Sequence, residues 1–391
     1  MSVAYERGQE PRSGWDAWGT LVYGTARVPI RLLVVVLGTL VWLLAMLLVG
    51  GGEAITAIWT NALFLVPLVL VGSLVRTVRL RWIAIMVFAG GALMGLMYLL
   101  AQLVAGLFED GATRAVLVPL LEEGLKVLPV LAFLWIGRRT YSWTLGATDV
   151  LILAAASGVG FGVVEDAYIR AHAGWPAQID WLPVTELIGG RLIVGHAIWA
   201  ALAGATIGLA LLLRTRRPIV LPVALGASGF LVSFIDHAAN NYSNTRSDAL
   251  GDLMNIVSQN GWTPLWLFFL ASLGCLVADA LIVYRRLPGQ RRYPTPPRAP
   301  GSRGLREAWG YVTDRRALAF ARFRWQQARP RIIEEAARAS AQLEWSLFMR
   351  QPQLLRAELG AALAASVSAA RAERAVEEPR TAVPPTPEPP G

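Results

Sequence analysis

The run Val116-Leu117-Val118-Pro119-Leu120-Leu121-Glu122-Glu123-Gly124-Leu125-Lys126-Val127-Leu128-Pro129-Val130-Leu131-Ala132-Phe133-Leu134-Trp135-Ile136-Gly137 decides the fold class. It is long enough for a helix to cross a hydrocarbon core, which takes about 20 residues. Yet it carries two adjacent carboxylates and, one turn later, an ammonium. Lys126 stands at i+4 from Glu122 and i+3 from Glu123, so either carboxylate can share a helix face with it. One charge can then be neutralised while the other carboxylate stays available as a base. A charge near the bilayer centre costs at least about 2.5 to 3.5 kcal/mol, which makes such residues functional candidates. Lys126 is the single lysine among 36 basic residues. Lysine supplies a compact, orientable ammonium where arginine brings a wide planar fork. The plainer alternative is an ion pair that locks two helices together.

Seven further apolar stretches of spanning length read near 32 to 50, 54 to 75, 81 to 107, 147 to 170, 188 to 213, 218 to 241 and 262 to 284. With 116 to 137 they make about eight spans, an all-α polytopic transmembrane bundle. Composition agrees: 55% hydrophobic and 16% charged residues would not clothe a water-exposed globule. Arginines alternate between loops, at Arg76 and Arg79, Arg138 and Arg139, Arg214 to Arg217, and Arg285 and Arg286. Cytoplasmic loops collect such residues, so the pattern predicts a multi-pass protein of the cell membrane with both termini cytoplasmic. The chain divides into an N-terminal segment (1–31), a membrane domain (32–284) with a motif-bearing core (115–245), and a basic tail (285–391).

The net charge of +9 is a property of the tail, which holds 19 Arg against 10 acidic residues, whereas the rest of the chain holds 17 of each sign. A basic segment directly after a membrane helix meets lipid headgroups, and no recognition motif argues for nucleic acid. Trp309, Phe320, Phe323, Trp325 and Trp345 among the arginines suit a helix lying on the inner leaflet, or a solvated helical tail. The Pro-rich end reads as disordered. Cys275 is the only cysteine, which excludes disulfides within the chain.

Other ionisable residues sit inside the spans. Gly158-Val159-Gly160-Phe161-Gly162-Val163-Val164-Glu165-Asp166 holds a carboxylate one turn after Phe161. No strand precedes these glycines, and Gly158 with Gly162 is a GxxxG packing pair rather than a phosphate loop. Asp166 reads as a headgroup-facing end residue. His196 falls in the sixth span and His237 in the seventh, with Asn241 one turn beyond His237. At about 1.5 Å of rise per residue, Glu122, Glu165, His196 and His237 lie roughly 7 to 12 Å inside the outer boundary. Four consecutive helices thus contribute to one layer.

Such a layer, open to water from one side, can activate a water by general-base catalysis and stabilise an oxyanion. Glu122, Glu165, His196 and His237 could equally hold one divalent metal such as Zn2+, whose bound water would do the same task. The residues leave both routes open.

The ordered motifs EExxK (Glu122 to Lys126), FxxxE (Phe161 to Glu165), the His196 helix and HxxxN (His237 to Asn241) resemble the PrsW family of intramembrane proteases. That family is related to the CAAX-prenyl-protease and bacteriocin-processing group. The resemblance covers about 115 to 245. It implies Glu122 as catalytic base supported by Glu123 and Lys126, Glu165 where prenyl-protease relatives carry a histidine, and His237 with Asn241 at the oxyanion. His196 belongs to the PrsW-like pattern. The implied substrate is a single-span membrane protein, such as an anti-sigma-factor-like regulator, cut from the extracytoplasmic side. Two competing classes are a proton-coupled transporter and a non-catalytic scaffold for transmembrane segments. A transporter would spread its ionisable residues through the membrane depth and often shows inverted repeats.

Overall fold

The computed structural model describes residues 52, 54–137, 144–173, 185–188, 191–213, 219–243, 248–286 and 302–325. The expected span at 32 to 50, the N-terminal segment and the tail beyond 325 lie outside the described residues. The helices are α1 (Ala54–Gly72), α2 (Leu80–Leu107), α3 (Gly111–Ile136), α4 (Ala147–Ala173), α5 (His196–Leu213), α6 (Val220–Ser243), α7 (Ala249–Ser258), α8 (Trp262–Arg286) and α9 (Ser302–Trp325). Among the described residues six helical stretches are long and apolar enough to cross a membrane, α7 and α8 counting as one. α3 has the length, but every 18-residue window in it contains Glu122, Glu123 and Lys126. Its charges, not its length, set it apart.

α4 is the axis of the bundle. It packs against α5, α2, α3 and α8, and Val150 to Ala156 are almost wholly buried. A helix surrounded on every side must let neighbours approach, and its glycines do this. A Cβ on Gly158 would strike the His196 carbonyl and Ala200, and one on Gly160 would strike the Val87 carbonyl. On the outer helices, Leu99, Leu103, Leu270 and Leu273 are exposed. Apolar side chains in water-facing positions would be costly, whereas lipid accepts them.

Buried aspartates organise the end at which α4 begins. Asp279 of α8 accepts hydrogen bonds from the free amides of Ala147 and Thr148, at 2.9 and 2.7 Å, capping α4 from another helix. Asp149 accepts from Thr77 and Val78, both at 2.8 Å, and from Gly146 at 2.8 Å, which ties the α2 entry to the α4 entry.

α9 docks on this same end. Phe320 is fully buried in the cluster of Leu145, Leu151, Cys275 and Ile282. Arg324 donates to the Leu145 carbonyl at 2.7 Å, and Arg316 to the Ser73 carbonyl at 2.6 Å. The Arg76 guanidinium lies 5.7 Å from the Trp309 ring centre. Burial lowers the Arg76 pKa, with Asp149 opposing that shift. An aromatic residue expected at the leaflet or in solvent, Phe320, is instead part of the protein core.

A second departure lies at the opposite end. The stretch expected as a loop and the start of the sixth span forms an antiparallel hairpin, β1 (Thr185–Ile188) and β2 (Arg191–Val194). α5 therefore begins at His196 rather than near 188. The amides of Ile198 and Trp199 turn back onto the Gly195 carbonyl at 3.0 and 3.3 Å, which starts the helix there. The turn from α7 to α8 closes over β2: Leu192 N–H donates to the Asn260 carbonyl at 2.8 Å. Gly261 has φ +89°, and a Cβ there would run into the Leu192 carbonyl, so only glycine fits.

Candidate functional site

α3 starts at Asp110, whose side chain accepts from the Thr113 amide at 2.9 Å. Its two inner prolines, Pro119 and Pro129, cannot donate to the Ala115 and Leu125 carbonyls. Between them the helix turns Glu122, Glu123 and Lys126 into the protein, where all three are buried.

Lys126 chooses Glu123. Its Nζ donates to Glu123 Oε1 at 2.5 Å and lies 2.6 Å from His196 Nδ1. The ammonium is also flanked by two aromatic rings, Phe161 at 5.2 Å and Trp199 at 5.1 Å from the centroids. Both ring faces are negative and favour a desolvated cation between them.

Glu123 Oε1 is shared, accepting from His237 Nδ1 at 2.8 Å as well. A carboxylate that already accepts from an ammonium can only accept from the imidazole, so His237 Nδ1 carries a proton. The ring's Nε2 faces Glu122 Oε2 at 3.5 Å. The carboxylate that orients one ring nitrogen while the other is offered forward is the usual support of a ligating or basic histidine. Trp199 fixes the ring plane, stacking on His237 at 4.2 Å and 15°. Its indole N–H in turn donates to Asp236 Oδ2 at 2.9 Å. Asp236 also pairs with Arg191 of β2 at 3.3 Å. Burial lowers the Arg191 pKa while Asp236 raises it.

On the other flank, His196 Nε2 and Glu165 Oε2 are 2.5 Å apart. Glu122 Oε2 and Glu123 Oε2 have no hydrogen-bond partner among the described residues. Orphaned buried acceptors are costly. Two carboxylate oxygens of this kind in one site suit a centre that attracts a cation or a hydrogen-bonding substrate.

Glu122, His196 and His237 each bring one ligand atom into a group spanning 4.8 Å. Two ligands on a tetrahedral zinc lie about 3.3 Å apart, so a bound ion would have to draw these atoms closer together. The donor set fits such an ion, with the condition that one nitrogen of His196 is released from Lys126 or Glu165.

The match that bears on this site covers its four helices. Residues 79–273 match the model of the PrsW family intramembrane metalloprotease. The PrsW match runs from the start of α2 into α8, and Glu122, Glu123, Lys126, Glu165, His196, His237 and Asn241 all lie inside it. It supports a membrane-embedded peptidase. α1 and α9 fall outside the PrsW stretch. No curated protein and no solved structure gives a significant match.

Six of the seven expected site residues meet through the contacts above. Asn241 lies one turn past His237 on α6 and is half-buried. Asp166, expected at the headgroups, is likewise half-buried beside Glu165 on α4. Sequence reasoning gave no role to Trp199 or Asp236. The available signals were position: Trp199 is one turn from His196, and Asp236 precedes His237.

Proposed function

We propose that this chain is an intramembrane peptidase that hydrolyses peptide bonds of single-span membrane proteins. The observation that carries the proposal is the meeting of Glu122, Glu123, Lys126, Glu165, His196 and His237 inside a helical bundle, within a stretch matched by a PrsW metalloprotease model. In this reading Glu122 is the proton acceptor for water. Its neighbour Glu123 is held through one oxygen by both Lys126 and His237, whereas Glu122 makes only the 3.5 Å approach to His237 among the described residues, so Glu122 is the less committed carboxylate.

His237 takes a different role from the one its HxxxN spacing implies. In the neutral form, with Nδ1–H donated to Glu123, its Nε2 is free to act as a ligand or a proton acceptor in place of an oxyanion donor. The Asn241 amide remains the candidate for the oxyanion. A divalent ion such as zinc, held by Glu122, His196 and His237, would lower the pKa of a bound water towards neutrality. Lys126 and Glu123 hold His196 and His237 in place whether or not such an ion is present.

The further features of the proposal are an outer-leaflet site, cytoplasmic termini, and about eight spans counting α3 and the stretch at 32 to 50. An anti-sigma-factor-like regulator is the substrate class that the family resemblance favours, and the wider kinship with prenyl proteases remains part of the proposal. Co-expression of a single-span substrate with wild type and with Glu122→Gln tests the function. Cleavage by the wild type alone is expected. Equal cleavage by both would remove Glu122 from the mechanism, and a chelated enzyme restored only by zinc would assign the water to a metal.

A further inference from the structure

The hairpin beside the site has one edge closed and, among the described residues, one edge without a further strand, and the backbone geometry tells which groups face outward. Leu192 N–H donates to the Asn260 carbonyl, so it points away from β1. In an antiparallel ladder, a residue whose N–H points outward belongs to a non-hydrogen-bonded pair, and its partner also points both its backbone groups outward. The partner of Leu192 is Leu187. The alternation of two then places Thr185, the partner of Val194, in the same orientation. The N–H and C=O groups of Thr185 and Leu187 therefore point to the outer edge of β1. The outer edge of β2 is covered by the 259–261 turn. Among the described residues the sheet has only two strands, so the β1 edge is unpaired.

We propose that this edge is the substrate subsite: it receives the extended backbone of a single-span substrate through main-chain hydrogen bonds at Thr185 and Leu187. The proposal rests on the peptidase reading above. A transmembrane substrate arrives as a helix, whose carbonyls are bonded within the helix and shielded from attack. Unwinding it near the hydrocarbon boundary leaves N–H and C=O groups that must find partners. A strand edge supplies them without demanding a particular side-chain sequence. The placement is suitable. Thr185 is opposite Val194, and Val194 is two residues from His196, at most about 7 Å along the chain. Pairing at Thr185 would thus hold the substrate within a few residues of the bond to be cut. The edge is also tied to the site, because β2 carries Arg191, the partner of Asp236. An unpaired edge is otherwise a liability for association with other chains.

The test uses the full chain with its only cysteine removed (Cys275→Ala) and with Glu122→Gln to keep substrate intact. Thr185→Cys is added, and single cysteines are scanned along the cleavage region of a single-span substrate under oxidising conditions. Disulfides at alternate substrate positions are expected, the signature of strand pairing. A repeat of three to four, or no disulfide at any position, would overturn the proposal. In the otherwise wild-type enzyme, Leu187→Pro removes the outward N–H while leaving the β1–β2 ladder bonds in place. Its KM should exceed that of Leu187→Ala by about five- to tenfold, the loss of one net hydrogen bond. Equal KM values for the two would also overturn it. The disulfide pattern does not depend on turnover. Alternate disulfides without any wild-type cleavage would sink the peptidase reading alone, and cleavage with a helical repeat would sink the strand edge alone.

Discussion

Lys126 could reach either glutamate from its spacing, and the structure gives it to Glu123, with His237 as second donor to the same oxygen. The choice has an energetic consequence. Removing one partner of a buried ion pair leaves an uncompensated charge, at about 3 to 5 kcal/mol, whereas removing both is far cheaper. Lys126→Met should therefore lower unfolding stability in detergent by about that amount, and Glu123→Gln combined with Lys126→Met should recover much of it. Equal losses in the single and double variants would refute the pairing. The charged motif itself was legible in the sequence, because i+3 and i+4 spacing is a local property. The stack of Trp199 on His237 and the bond from Trp199 to Asp236 join α5 to α6, so no local spacing announced them.

At the scale of elements, the glycine-rich run of α4 was readable as packing, but not as packing in two directions. Gly158 and Gly162 face α5 at His196, while Gly160 faces α2 at the Val87 carbonyl. Room varies by position rather than by direction, since a Cβ on Gly158 would also press on backbone, at the His196 carbonyl oxygen. A Cβ on Gly162 would have its nearest neighbour at 3.5 Å, an ordinary contact. Gly162→Ala should accumulate normally and gain helix propensity, up to about 1 kcal/mol. Gly160→Ala would push against backbone, which cannot rotate away as a side chain can, and should cost about 1 to 3 kcal/mol or more. Thermal melts of the two purified variants would decide, and equal melting temperatures would contradict the packing described here. The hairpin escaped the sequence reading for a related reason. Thr185-Glu186-Leu187-Ile188 and Arg191-Leu192-Ile193-Val194 are four-residue runs that lead into the apolar α5, and runs this short do not separate strand from helix by period.

For the whole molecule, the arginine pattern predicts sides: labels after Arg139 and after Asp180 should report opposite faces of the membrane. The same side for both would undo the outer-leaflet placement of the site.

The tail requires a different argument, because an amphipathic helix can cover its apolar face with lipid or with protein, and its sequence alone favours neither. In α9 protein wins over residues 311 to 324, where Phe320 enters the main core and Arg324 and Arg316 satisfy the Leu145 and Ser73 carbonyls. A lipid-lying helix could lose its aromatic side chains at little cost to the bundle. A docked one cannot, since Phe320→Ala opens a cavity beside Leu145 and Ile282, where such a truncation costs about 3 to 5 kcal/mol. Phe320→Ala is thus expected to lower the melting temperature of the purified protein clearly, and Trp309→Ala, at a half-exposed ring, to lower it less. The site lies at the other end of α4, so residual activity at low temperature should survive in both variants. Identical melting curves for Phe320→Ala and wild type would return α9 to the membrane surface, where its arginines first suggested it belonged.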